Sequence, residues 1–98
     1  MRYRIAVPPG VTEHVRRLPP EVRRAIREAM HAIAAKPALG EPLRLELSGH
    51  FKYRVRRYRI LYLVDRARRV IRIMAVGHRR TVYEDMASVL KGRRGVGR

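Results

Sequence analysis

A chain of 98 residues with 24 Lys plus Arg against 8 Asp plus Glu carries a formal charge of +16. That length suits one domain without a second folded unit, and 46% apolar residues are ample for a core. The absence of Cys excludes disulfides, thiolate metal sites and cysteine nucleophiles, and no apolar run approaches the roughly 18 residues of a membrane span.

Residues 2–7 alternate apolar and basic side chains and end at Pro8-Pro9-Gly10, which predicts a short strand and then a turn. Thr12 is placed to cap a short helix carrying Val15 and Leu18, stopped by Pro19-Pro20. Pro20 suits the first turn of a second helix, where its missing N–H costs nothing. That helix is expected to run to about Lys36, with Val22, Ile26, Met30 and Ile33 on one stripe. Arg23, Arg24, Arg27 and Glu28 fall on its other faces, and Pro37 ends it. The two segments predict a helical hairpin hinged at the double proline.

From Leu43 the period becomes two. Leu43, Leu45 and Leu47 alternate with Arg44 and Glu46, and Ser48-Gly49 follows as a turn. Phe51, Tyr53 and Val55 then alternate with Lys52, Arg54 and Arg56. After Arg57 the nearly all-apolar run 58–64 (YRILYLV) reads as a central strand covered on both faces. A polar turn at 65–69 leads to another strand at 70–76 (VIRIMAV), which Gly77 is expected to end. Val82, Met86, Val89 and Leu90 stripe a short final helix. The expectation is an α+β fold: an N-terminal strand, a helical hairpin, an antiparallel three-strand meander and a short C-terminal helix. The helices pack one face of the sheet and leave a concave basic face on the other. Residues 1–91 form the domain, and the basic tail 92–98 (GRRGVGR), with Val96 as its one packing residue, is expected to be disordered.

Charge of one sign at this density points to a polyanion. The cations are 21 Arg and 3 Lys, and Arg offers a planar fork that grips phosphate through two hydrogen bonds and stacks on bases. A GC-rich genome accounts for part of that ratio but not for the net charge. No continuous basic amphipathic helix of the kind that binds membrane surfaces is visible, so nucleic acid is the expected target. The N-terminus MRYRIAVPPG lacks a signal-peptide apolar region, and the chain is expected in the cytoplasm.

Strand alternation puts Lys52, Arg54 and Arg56 on one side, about 6.5–7 Å apart, close to the spacing of successive phosphates in a single strand. Arg59, across a tight turn, and the pair Arg79-Arg80 can join them. The plainer reading is a solvated strand face on which cations discourage edge aggregation. The second constellation is 77–83 (GHRRTVY), with His78, Arg79 and Tyr83 at the sheet's end. Its plainer reading is an exposed histidine and a tyrosine packing on the sheet. His14, His31 and His50 read as structural or surface residues, and no His or acidic residues share metal-ligand spacing on one element. Ser48 and Ser88 have no fitting triad. Eight acids in all make a carboxylate-bound metal nuclease improbable, so any nuclease here is expected to be metal-free and cation-based.

The run PLRLELSGHFKYRVRRYRILYLVD followed by VGHRRTVY resembles the RelE branch of the RelE/ParE toxin superfamily, over residues 1 to about 90. The resemblance implies the toxin of a type II toxin–antitoxin system: a metal-independent, cofactor-free endoribonuclease that cleaves messenger RNA in the ribosomal A site and so inhibits translation. It implies an acidic, RelB-like antitoxin that wraps the toxin in a hetero-oligomer. Carried over by position, Lys52, Arg54, Arg59, Arg79 and Tyr83 are the catalytic set, with Arg56, Arg57, His78 and Arg80 contacting RNA. Such cleavage uses the 2′-OH as nucleophile, a base to take its proton, cations on the phosphorane and an acid for the leaving 5′-oxygen. Arg54 stands where some relatives carry Lys and Arg cannot act as a base, so that role falls to Lys52, Tyr83 or His78. Two other readings use the same scaffold: a ParE-like, non-enzymatic inhibitor of DNA gyrase, or a basic RNA- or ribosome-binding module without catalysis. ParE-type relatives generally lack the cation cluster and the C-terminal tyrosine.

Overall fold

Apolar residues recur every three to four positions between Val22 and Ile33 and every two from Phe51 onward, and the backbone follows those two periods. The computed structural model describes residues 2–43 and 49–84. The elements are β1 (Arg4–Ala6), α1 (Pro9–Arg16), α2 (Pro20–Ala35), a 3-10 turn (Pro37–Leu39), β2 (Glu41–Pro42), β3 (His50–Val55), β4 (Tyr58–Asp65) and β5 (Val70–His78). They form one sheet in the order β1-β5-β4-β3-β2, with β1 parallel to β5 and the other pairs antiparallel. Among the described residues no helix is long and apolar enough to cross a membrane.

The N-terminal half differs from expectation at one boundary. Pro8-Pro9-Gly10 is the start of α1 rather than a turn before it: Pro8 is the N-cap and Pro9 takes the first helical position, where fixed φ suits the helix. Thr12 therefore lies inside the first turns, and its hydroxyl donates back to Pro8 O at 3.3 Å instead of capping. α2 begins at Pro20 and gives way at Lys36, as the sequence predicts.

α2 buries Val22, Ile26, Ala29 and Ile33 against Val55, Ile60, Tyr62, Ile71, Ile73 and Val76, which form the main core. Each such side chain removed from water contributes on the order of 1.5–3 kcal/mol. The other face of the sheet is not wholly basic. A second cluster of Leu61, Met74, Ala75 and Val82 occupies its middle. A bulge supports it: Leu61 pairs with Ala75 and Tyr62 with Ile73, so Met74 is the extra residue on β5.

β5 passes through Gly77, which pairs with Arg59, and ends at His78, two residues beyond the predicted stop. Leu43 extends the β2 pairing by donating its N–H to His50 O at 2.9 Å. The rest of the predicted strand at 43–47, with Ser48, lies outside the described residues. So do the final helix beyond its first turn at 82–84 and the tail 92–98. Gly49 closes its turn with φ of +86°, a conformation that favours glycine.

A tyrosine ties the helical half to the sheet edge. Tyr62, with no exposed surface, donates to Pro37 O at 2.8 Å and accepts the Gly40 N–H at 2.9 Å. Burial pushes its phenol above the ordinary value; the Gly40 N–H opposes that and the neighbouring Tyr53 adds to it. Gly40 lies so close to Lys52 O and Tyr62 Oη that a Cβ would sit 2.5 and 2.8 Å from them. The glycine thus lets β2 reach β3, where Glu41 pairs with Lys52.

Candidate active site

Phe51, Tyr53 and Val55 on β3, and Tyr58, Ile60 and Tyr62 on β4, all pack toward α2. Alternation turns Lys52, Arg54 and Arg59 to the opposite face. The register then decides how closely they meet. Val55 pairs with Tyr58 across a two-residue turn, which sets Arg54 directly opposite Arg59. Antiparallel partners have Cα atoms about 4.5–5.5 Å apart, and like charges so placed repel. Arg59 has Gly77 as its other partner, so no side chain from β5 stands beside it.

Among the described residues no carboxylate pairs with these two arginines. The Nη1 of Arg59 is buried and makes no hydrogen bond. The two ion pairs among the described residues, Arg16–Glu13 and Arg68–Asp65, lie elsewhere. A guanidinium nitrogen buried without an acceptor among the described residues is suited to receive an anion.

The turn at the hairpin tip organises the neighbouring cations. Arg54 Nε donates to Arg56 O at 3.5 Å, and Arg79 N–H donates to Arg57 O at 2.9 Å. Arg56 itself adopts φ of 56°, a left-handed conformation where Gly or Asn is the usual occupant. Arg56, Arg57, Arg79 and Arg80 are all exposed around this end of the sheet. Val82, fully buried beside Leu61 and Met74, anchors the final helical turn on the Lys52–Arg59 face, and Tyr83 follows it 39% exposed.

His78 is placed differently. It pairs with Tyr58, on the α2 side, and the two rings meet edge-on with centroids 6.0 Å apart. Its Nδ1 accepts the Arg80 N–H at 3.3 Å, so a neutral ring carries its proton on Nε2. The histidine thus shapes the turn that delivers Arg79 and Arg80, with Thr81 N–H donating to His78 O at 3.0 Å. The fold brings Lys52, Arg54 and Arg59 onto one face with Arg79 at its end, and sets His78 on the other.

Two grooves among the described residues lie away from this site. One, of about 340 Å³, lies between α1 and α2 and is lined by Val15, Ile26 and Met30 with Arg16, Arg23 and Arg27. The other, of about 350 Å³, lies between α1 and β5. Around half-buried Lys52 and Arg59, the cations Arg54, Arg56, Arg57, Arg79 and Arg80 are exposed, an extended spread that fits a polymer better than a small molecule. Among the described residues no three His, Asp or Glu side chains group as metal ligands. Sequence reasoning identified the cations but missed three features: the Arg54–Arg59 opposition, the glycine beside Arg59 and the tyrosine lock behind Lys52. The length of the Arg56-Arg57 turn was the available signal for the first.

The chain is a small basic α+β protein with clustered arginines on one sheet face, and comparison with known proteins places it in a family. The family model described as the ParE toxin of the type II toxin-antitoxin system parDE matches residues 11–83. Toxin RelG of Mycobacterium tuberculosis (strain ATCC 25618 / H37Rv) is 33% identical over 85 residues, covering 85% of this chain and 98% of RelG. In the toxin-antitoxin complex RelBE2 from Mycobacterium tuberculosis, the matching chain superposes with a TM-score of 0.71 at 32% identity, over 81% of this chain and 100% of that one. In the archaeal RelE-RelB complex from Pyrococcus horikoshii OT3 the TM-score is 0.70 at 25% identity, over 81% and 97%. A mutant of E. coli toxin RelE in the free state gives a TM-score of 0.78 over 95% and 98%, at 21% identity, a likeness of fold alone. The chain belongs to the RelE/ParE superfamily, as a type II toxin–antitoxin toxin of the RelE family.

Proposed function

We propose that this toxin is a metal-independent endoribonuclease that cleaves messenger RNA in the ribosomal A site and thereby stops translation in the cytoplasm. The observation that carries the reading is the Arg54–Arg59 opposition, with Arg59 Nη1 buried and unpartnered. In the proposed reaction the 2′-oxygen attacks the adjacent phosphorus, the bond to the 5′-oxygen breaks, and a 2′,3′-cyclic phosphate and a 5′-OH result. Arg59 and Arg79 stabilise the charge on the phosphorane, since a guanidinium stays charged and grips two oxygens at once. Arg54 adds to that field. Lys52 and Tyr83 are the proton carriers, because His78 has its free nitrogen engaged by Arg80. Arg56, Arg57 and Arg80 hold RNA around the site, and His78, expected from the sequence to contact RNA as well, acts from the other face by shaping the turn that carries Arg79 and Arg80. An open face offers little to orient a flexible strand, so the ribosome supplies the positioning, which is worth orders of magnitude in rate.

The RelE toxins this chain resembles are seen in complexes with antitoxins. We assign the same kind of partner here, an acidic RelB-like antitoxin in a hetero-oligomer, on the strength of the +16 charge it would neutralise. The match to the ParE description favours a second reading, inhibition of DNA gyrase. The unneutralised cation cluster argues for the nuclease.

The test is messenger cleavage mapped by primer extension in a reconstituted translation reaction, with Arg59→Ala, Arg79→Ala and a ribosome-free control. Cuts at the A site that require ribosomes and disappear in both variants are expected. Intact messenger with inhibited gyrase would establish the second reading, and intact messenger with stalled translation would leave a binding module. A messenger with a 2′-deoxy residue at the cut must resist, and its efficient cleavage would sink the 2′-OH mechanism.

A further inference from the structure

The far end of the sheet carries a second concentration of cations that the reaction does not use. β4 and β5 are joined by residues 66–69, in which Arg66, Arg68 and Arg69 are all exposed. Arg4 lies beside them: it pairs with Val70, and its N–H donates to Arg69 O at 3.0 Å. Arg72 shares a sheet face with Arg4, because Ile5 between their register positions turns toward α2. Asp65 is a carboxylate partner of Arg68 in this group. Asp65 Oδ1 accepts the Arg68 N–H at 3.0 Å, and its Oδ2 lies 3.8 Å from the Arg68 guanidinium.

Asp65 lies six residue steps beyond Arg59 along β4, or about 20 Å at about 3.3 Å per residue. That exceeds two screening lengths of about 8 Å at physiological salt, so the two ends attract anions independently. The chemistry of the turn also narrows the partner. A protein interface needs an apolar or aromatic centre, and between Asp65 and Arg69 the one apolar side chain is Ala67. Phosphate recognition needs only charged forks. A strand could cross about 20 Å in about three phosphate steps, but the face between the two ends is filled by the apolar cluster of Leu61, Met74 and Ala75 with Leu63, so phosphates held at this turn belong to a second RNA segment, as a folded RNA presents.

We propose that the 66–69 turn, with Arg4 and Arg72, is a second, non-catalytic RNA-backbone contact that seats the protein on a phosphate ridge of folded RNA. The proposal rests on the ribosome-directed reading above and adds a surface to it. The test is binding of purified ribosomes across a salt series by wild type, Arg66→Ala/Arg68→Ala and Arg66→Lys/Arg68→Lys. Asp65 caps the Arg68 backbone N–H, so the turn survives loss of the side chains, and matched melting temperatures check this. In the alanine variant the slope of log affinity against log salt is expected to fall by about 1.4–1.8, for two contacts at about 0.7–0.9 each. The lysine variant is expected to restore it, and cleavage at saturating ribosome should equal that of wild type. An unchanged slope overturns the proposal, as does a reduced rate at saturation. Intact ribosome binding with a weakened hold on an acidic protein partner would overturn it in favour of a protein-docking surface. A wild type that fails to bind ribosomes refutes the parent reading, whereas a variant matching a wild type that binds them refutes this one alone.

Discussion

Replacing Arg59 by methionine should make the free toxin more stable while abolishing its activity. Methionine keeps an unbranched apolar stem of similar reach and removes the charged head. Two penalties then disappear. A buried polar nitrogen without a partner, as Arg59 Nη1 is, costs about 1–3 kcal/mol. Repulsion from Arg54, opposite it in the register, adds to this. For two unit charges at an assumed separation of about 7 Å, it would lie between about 0.6 kcal/mol at a dielectric of 80 and about 2.4 kcal/mol at 20. Taking a combined gain near the low end, about 2 kcal/mol, the melting temperature should rise by roughly 8–16 °C for a chain of this size. The assay is thermal and urea unfolding at low ionic strength in a buffer free of phosphate and sulfate. Adding sulfate should stabilise wild type more than the variant, because the vacated site no longer binds the anion. Arg59→Met made on an Arg54→Met background should gain less, by the repulsion already removed. A variant melting at or below wild type would refute the account of Arg59 as an uncompensated charge.

Three further outcomes follow from the fold. Arg56→Gly relieves a left-handed arginine and should raise stability by about 0.5–1 kcal/mol in urea unfolding, while lowering the salt slope of ribosome binding by about 0.7–0.9. Gly40→Ala places a Cβ 2.5 Å from Lys52 O and should destabilise by about 1–3 kcal/mol, read as a lower urea midpoint. Tyr62, whose pKa is raised chiefly by burial, favours the fold while its phenol is protonated. That contribution is whole below about pH 10, the unfolded value, and is lost as pH rises through the higher folded value. Tyr62→Phe should flatten this alkaline decline and lower stability at neutral pH by about 1–3 kcal/mol, since Gly40 N–H and Pro37 O lose their partner. Melting temperatures between pH 7 and about pH 11 check both.

Periodicity made the β3–β5 strands and α2 legible, because each buries one stripe or one face and carries charge on the other. It also put Lys52 and Arg54 on one side of β3 without any knowledge of the fold. Contacts between distant segments were not legible. Nothing local in 2–7 says that β1 will lie parallel to β5, since that depends on where the helical hairpin returns the chain. Pro8-Pro9-Gly10 misled because proline favours both turns and helix starts, and the choice was settled by α1 packing on β5. The bulge at Met74 is invisible to a strict period of two, yet it is what gives the second face an apolar middle. In the site, the cations were readable as types, but the Arg54–Arg59 opposition requires the register, which only the two-residue turn fixes.

The places where this chain departs from its most stable arrangement have a common cause. Among the described residues, both non-glycine residues with positive φ are arginines in turns, Arg56 and Arg69, at opposite ends of β4. The buried side-chain nitrogen left without a hydrogen bond, among the described residues, also belongs to an arginine. Glycine at the turns and an apolar residue at 59 would each lower the free energy of the isolated fold. Such local conflicts persist where the surrounding structure holds them and function requires them. Here one perturbation relieves the electrostatic share at Arg59 and across the +16 surface: the approach of a polyanion. On the proposed nuclease reading the protein is stabilised by RNA, and its melting temperature should climb with added RNA more steeply in wild type than in Arg59→Met. Equal shifts in the two would mean that net charge alone, and not this arginine, couples folding to RNA.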